Sequence, residues 1–395
     1  MKKLSMIFFA VLFAFTSCVS TKKQPEFQET PLDVKGVWFS FYDWASLPQD
    51  ENEFKESVKE IVAGIKKIGL NVIFLHAHSH SDSYYKESTY FPLSSYISYA
   101  ADFSEDFDPY EFFIQQAHEQ GIQVHAWFNP YRVGSDTQFS RIQEGSLLYE
   151  WKESDEEKGS RYILHHRGAW YLNPSSIEIL NAVTNSIREM CRNYNIDGVH
   201  FDDYFYPEMN DSDESLSFDK IDWESSGSEK TLEQWRRDNV SALVQSVYEA
   251  VHEELEDGVF GISPAGNIPR LTGSQQFLVD LEKWIHNPGY IDYILPQIYW
   301  GFEPRLASGA TAPWAFEDCL SSWVSLLQDS QVKLYAGLAL YRLNTDVKDG
   351  NEVSEWLRYD DIIFRQIECC RRENRVTGFS LFDWRDLKKI ENKVL

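Results

Sequence analysis

A (β/α)8 barrel with extended βα loops is the fold the sequence predicts. Eight short apolar or β-branched runs alternate with longer segments whose apolar residues recur at helical spacing. About 360 residues follow the leader and tether, a length that suits one barrel with insertions. The competing fold, a doubly wound open sheet, calls for a glycine-rich phosphate loop after the first strand, where Asp43-Trp44 stands instead.

The first element is a leader. Met1-Lys2-Lys3 is a short basic region, and Leu4 to Phe15 is apolar but too short to cross a bilayer as a helix. Residues 1–17 read as a secretory signal peptide. It ends in Phe15-Thr16-Ser17-Cys18, small residues before a cysteine, which resembles the lipobox of bacterial lipoproteins. Cys18 is then the lipidation site, and dual acylation anchors a chain stably where one acyl group does not. The alternative is a plain signal peptide in which Cys18 is incidental. Residues 18–33 read as a polar tether. The expected location is the exported side of the outer or cytoplasmic membrane of a bacterial envelope.

The barrel domain is expected over residues 34–395. Its strands are predicted at Val34–Phe41, Asn71–His76, Gln123–Trp127, Asp197–Asp202, Val259–Ser263, Tyr293–Ile298, Lys333–Ala339 and Thr377–Phe382. Between them, Val58, Ile61, Val62, Ile65 and Ile68 form one helical stripe. Leu180, Val183, Ile187 and Met190 form a second, and Leu243, Val244, Val247, Val251 and Leu255 a third.

Composition narrows the partners. Acidic residues outnumber basic ones 62 to 37, a net charge of −25, and Lys2 and Lys3 leave with the signal. Such a field repels nucleic acid. Cys191, Cys319, Cys369 and Cys370 fit no disulfide or zinc spacing and read as packing residues. The 13 Trp and 21 Tyr suit sugar binding, because aromatic faces pack on sugar C–H faces while their polar tips bond hydroxyls.

In a barrel the informative residues stand at the C-terminal strand ends. Strand two ends in His76-Ala77-His78-Ser79-His80-Ser81-Asp82, followed by Tyr84-Tyr85. Strand three ends in His125-Ala126-Trp127-Phe128-Asn129-Pro130-Tyr131-Arg132, and strand four in His200-Phe201-Asp202-Asp203-Tyr204-Phe205-Tyr206-Pro207. Strand five closes with Gly261-Ile262-Ser263-Pro264, strand six with Pro296-Gln297-Ile298-Tyr299-Trp300, and strand eight with Phe382-Asp383-Trp384. These segments resemble, in order, the hallmark motifs of bacterial glycosyl-hydrolase-like family ten, over roughly Lys35 to Phe382. The sequence departs from that pattern at Ala265, where the family carries an aromatic, and at His76 and His78, which stand before the His-Ser-Asp motif. The resemblance implies a barrel glycosidase of the envelope acting on cell-wall glycans.

Glycosidic cleavage needs one carboxylic acid for the leaving oxygen and one carboxylate to act as nucleophile or to activate water. Asp202 and Asp203 suit it best. Alternation places His200 and Asp202 on one face, toward the barrel mouth, and Asp203 at the start of the loop. The second carboxyl is open among Asp203, Asp82 and Asp383, because strand five ends without one. Adjacent acids also resemble barrel enzymes that use the substrate's own 2-acetamido group, which suits N-acetylated peptidoglycan strands. A capping role, or pairing with Arg132, is the plainer reading of both aspartates. Proposed substrate binders are His80, His125, Trp127, Asn129, Tyr131, Arg132, His200, Tyr204, Gln297, Tyr299 and Trp300. No metal or cofactor is expected. Two other classes stay open: a metal-dependent hydrolase using His76 and His78, and a glycan-binding surface lipoprotein without turnover.

Overall fold

Local signals delimit the helices before packing selects their faces. The helix Glu51–Ile68 starts where the Asp50 carboxylate accepts from the backbone N–H groups of Asn52 and Glu53. Glu51 and Glu53 lie in its first turn and Lys66 and Lys67 in its last, each complementing the helix dipole. It stops at Gly69, which adopts φ 96°, a conformation that costs glycine little. Its buried face, Phe54, Val58, Ile61, Val62, Ile65 and Ile68, includes the predicted stripe. The helices Ile177–Asn193 and Leu232–Glu254 likewise bury the other two predicted stripes, apart from half-buried Leu180 and Leu255.

The computed structural model describes residues 30–391 except 87, 98–102, 160, 204 and 274–276. Eleven strands are present among them: β1 (Val34–Phe39), β2 (Val72–His78), β3 (Gln123–Phe128), β4 (Arg132–Ser135), β5 (Ile163–His166), β6 (Ala169–Leu172), β7 (Gly198–Phe201), β8 (Val259–Ile262), β9 (Tyr293–Ile294), β10 (Lys333–Leu338) and β11 (Val376–Leu381). Eight form a closed parallel barrel, β1-β11-β10-β9-β8-β7-β3-β2, sealed where β1 pairs with β11. Every residue of β2 is buried, as a strand with side chains on one face and helices on the other requires. The barrel centre holds Trp38, Phe74, Trp127, Tyr293, Leu295 and Tyr335. Gly261 makes that filling possible, because a Cβ there would collide with the Tyr293 ring.

Each predicted strand overlaps an observed one. The sixth is shorter than expected: the β9 ladder covers Tyr293–Ile294, because Pro296 has no N–H to donate. Gln297 then pairs again, bridging to Ala265 and Gly337. A three-stranded antiparallel sheet, β4-β6-β5, lies between β3 and β7 and was not anticipated. Its hairpin turns at Arg167-Gly168, both at positive φ, so an ordinary Arg occupies a position that Asn or Asp more often marks.

Candidate active site

The C-terminal ends of six barrel strands enclose a cavity of about 230 Å³. Trp38, Ser40, Phe41 and Tyr42 come from the end of β1 and His76 from β2. Trp127 comes from β3 and Arg132 from the start of β4, Asp202 and Asp203 follow β7, Gln297 and Tyr299 follow β9, and Phe382 follows β11. The volume lies below the roughly 300–1,000 Å³ of drug-sized pockets, so it has room for about one small ring.

Asp202 is 3% exposed and is held by a chain of hydrogen bonds of fixed direction. The Phe41 backbone N–H donates to His76 Nδ1 at 3.1 Å. That bond requires a lone pair on Nδ1, so the neutral ring carries its proton on Nε2. Nε2 in turn lies 2.5 Å from Asn129 Oδ1. Arg132 Nη2 donates to the same oxygen at 3.3 Å, and the Asn129 amide nitrogen donates to Asp202 Oδ2. Two donors on Oδ1 settle which way the Asn129 amide points. The His76 ring stacks on Trp127 with centroids 3.7 Å apart and planes at 7°. Burial, then the Arg132 charge, drives its pKa well below the ordinary histidine value, so it stays neutral.

Asp203 differs from its neighbour. Its carboxyl meets the Gln297 amide at 3.5 Å, and that amide is mainly held by the Ser263 carbonyl at 2.9 Å. Burial raises its pKa and outweighs the hydrogen bond to its own backbone, the Gln297 amide and the Arg132 and Arg270 charges. Adjacent carboxyls with unlike surroundings are the usual physical basis for separate acid and base roles. The loop that follows is pinned from below: Tyr206 and Arg236 both bond the buried Asp219 carboxylate, at 2.8 and 2.7 Å.

The other predicted residues lie elsewhere. Asp82 turns inward on its own loop, accepting from the N–H groups of Ser79 and His80 at 2.9 and 2.8 Å and from the Ser94 hydroxyl at 2.5 Å. His80 bonds Ser79 Oγ at 2.8 Å and packs edge-on to Phe41 outside the cavity lining. His125 and His200 sit below the mouth, sharing the Tyr293 hydroxyl at 3.0 Å each, with His200 accepting from Trp38 Nε1 at 3.2 Å. His200 does share a face with Asp202, one layer deeper, where the barrel filling excludes substrate. Tyr131 is fully buried in the outer core, and Trp300 is half-buried against the same core cluster with its carbonyl bonded to Gln366. Asp383 is buried against Arg385, which also reaches Asp43. Burial, then the neighbouring Asp383 carboxylate, lifts the Asp43 pKa to about 7. Tyr204 and Cys18 lie outside the described residues.

His76 and His78 do not converge on a cation. The register slips between them, and His78 packs against Phe91 and Phe128 while both nitrogens of His76 are engaged. The contribution of β1, Trp38 to Tyr42, was missed, although an aromatic Trp-Phe-Ser-Phe-Tyr run at a strand end carries the signal.

The model of the family described as glycosyl hydrolase-like 10 matches residues 33–355. The glycosyl hydrolase YngK of Bacillus subtilis (strain 168) is 28% identical over 379 residues, 90% of this chain and 69% of that protein. The glycosyl hydrolase DigH of Escherichia coli (strain K12) is 26% identical over 347 residues, 81% and 76% of the two chains. Among solved structures, the PgaB (BpsB) glycoside hydrolase domain from Bordetella bronchiseptica aligns with TM-score 0.54 at 13% identity, covering 92% of this chain and 97% of that one. The catalytic domain of β-amylase from Paenibacillus polymyxa gives 0.54 at 12%, covering 91% and 94%. At such identities these two structures show a common barrel fold.

Proposed function

From the premise that this chain belongs to the glycosyl hydrolase-like 10 family, we propose that it is a glycoside hydrolase of the bacterial envelope, with peptidoglycan glycan strands as its substrate. The observation that carries the reading is the pair Asp202 and Asp203, adjacent at the end of β7, facing one aromatic-lined cavity and held in unlike surroundings. Asp203, biased by burial toward its protonated form, is the general acid. Asp202, an acceptor of the Asn129 amide proton, faces the anomeric carbon or the acetamido nitrogen of an N-acetylated sugar.

In the reaction the bond between the anomeric carbon and the bridging oxygen breaks, and the Asp203 proton passes to that oxygen. Positive charge developing on the sugar is stabilised by the Asp202 carboxylate or by the substrate's own acetamido oxygen. Water then adds its oxygen to the anomeric carbon and returns a proton to Asp203. Trp38, Trp127, Tyr299 and Phe382 offer apolar faces to the ring.

Export and anchoring complete the proposal: Cys18 carries the lipid, and residues 18–33 tether the barrel to the membrane. Among the described residues no helix is long and apolar enough to cross a membrane. Incubating the protein with a panel of envelope glycans and measuring new reducing ends tests the activity. Release from peptidoglycan strands by wild type, absent in Asp202→Asn, is expected, and binding without release from any glycan overturns it. Cys18→Ser is expected to leave the membrane fraction while still exported, and its retention after a salt wash overturns the anchor.

A further inference from the structure

We propose that Asn129 and His76 are positioning residues for Asp202, forming with the Phe41 backbone a one-directional chain that presents a fixed carboxylate to the reacting sugar. The inference rests on the glycosidase reading of this site. Its geometry begins at a group that cannot turn: the Phe41 N–H, in the backbone just after β1. That N–H selects the Nε2–H tautomer of His76, and the tautomer selects the orientation of the Asn129 amide. The amide then has only its N–H groups left for Asp202.

Each link is also held sideways. His76 lies flat on Trp127 and is flanked at 6.0 Å by Tyr84 in a near-parallel plane. Asn129 is fully buried, and Arg132, itself fixed to the Ser79 carbonyl at 2.9 Å, supplies the second donor to its oxygen. A free Asp side chain samples several rotamers, and losing the productive one is a loss of geometry rather than of affinity. The chain also crosses from β2 to β3 to β7, so three strands act together on one carboxylate.

Charge follows from the same arrangement. A donor to the ionised form favours that form, and an amide N–H cannot donate to an oxygen that carries its own proton in the same direction. Among the described residues, the charged or titratable groups lining the cavity with Asp202 are Asp203 beside it, His76, Arg132 from the start of β4 and the Tyr299 hydroxyl, which also feels the buried Asp383. His76, and His200 one layer below, are held neutral by burial. Asn129 is therefore the neutral donor that biases Asp202 without adding a charge of its own.

The experiment compares Asn129→Ala, His76→Phe and His76→Gln with wild type for kcat, KM, melting temperature and the pH profile of kcat/KM. Phe keeps the stack on Trp127 and removes both hydrogen bonds, whereas Gln restores an acceptor and a donor at the two ends. Asn129→Ala and His76→Phe are each expected to lose roughly 10²-fold in kcat with KM changed less than about threefold, the scale of a misplaced group. Their acid limbs move to higher pH, and the double variant is no worse than either single one. His76→Gln is expected within about tenfold of wild type.

An unshifted pH profile in melting-competent variants, or His76→Gln behaving like His76→Phe, overturns the proposal. A second measurement needs no turnover: imidazole ¹⁵N spectra of the full chain, with His76 assigned by its loss in His76→Gln. A neutral Nε2–H ring that does not titrate down to pH 5 is expected, and an Nδ1–H ring or a titrating one overturns the chain. If wild type cleaves no glycan, the glycosidase reading fails by itself while this spectrum still decides the geometry.

Discussion

Two strand ends of this barrel each bring acids and histidines together, and they do opposite things. After β2, Asp82 stands among His78 and His80; after β7, Asp202 and Asp203 follow His200. The Asp82 carboxylate accepts from two backbone N–H groups and two hydroxyls, all within residues 79–94, so its lone pairs are committed to holding its own loop. Burial opposes its charge, but His80, the Ser94 hydroxyl and its other neighbours win and hold its pKa below the ordinary value. Asp203 bonds its own backbone N–H and meets the Gln297 amide at 3.5 Å, faces the cavity, and is shifted the other way by burial. An acid satisfied locally stabilises the structure; one left half-satisfied at a cavity wall is available for chemistry.

The sharpest way to break this contrast is to neutralise one carboxylate at each end. Asp202→Asn is expected to lose at least 10²- to 10⁴-fold in kcat, the range of acid–base assistance, while melting within about two degrees of wild type and still binding glycan. Asp82→Asn is expected to keep its rate per folded molecule. If Asp202→Asn keeps more than a tenth of the wild-type rate, the assignment of the two ends is wrong.

Next in size is Asp203→Asn, expected to cost about 10²-fold or more on substrates with poor leaving groups and much less on activated aryl glycosides, which need no proton. Its raised pKa sets the sign of the pH dependence: kcat/KM falls as pH rises through a value above the usual 3.9 of aspartate, because the proton to be donated is gone. A profile with no basic limb in wild type would count against Asp203 as the acid.

A smaller effect belongs to stability. Removing the Asp82 charge is expected to cost about 1–3 kcal/mol, since four donors lose an ionised acceptor. Its folded pKa is depressed, so this contribution is fully present above about pH 4 and is lost as pH falls through the lower folded value. Chemical denaturation of wild type and Asp82→Asn at pH 7 and pH 2.5 measures it, with the gap closing at the lower pH. The smallest expected effect is none: exhaustive chelation leaves the rate unchanged, because His76 spends both nitrogens on protein partners. Loss on chelation with recovery on adding zinc or manganese would return the strand-two end to the chemistry.

Much of this was legible in the chain. The periodicities that mark eight strands and their helices arise from burial on both faces or on one, and neighbouring residues alone carry them. Strand-end position then brought Asp202, Asp203, Trp127, Arg132, Gln297 and Tyr299 to one mouth. Less legible were the β4-β6-β5 sheet, whose turn uses Arg167, and the aromatic wall from β1.

The order of elements, the barrel class and the candidate carboxylates were determined by sequence, since each depends on local patterning and on which residues end a strand. Depth and direction were decided by tertiary structure. His200 lies two residues before Asp202 on the same face, yet barrel tilt and the Trp38 and Tyr293 side chains bury it a layer below the cavity. Asp82 and Asp202 carry the same carboxylate, and what separates them is where their donors come from: residues 79–94 for one, Asn129 on another strand for the other. Hydrogen bonds saturate, and which partners fill them is a property of three-dimensional proximity that no spacing in the chain encodes.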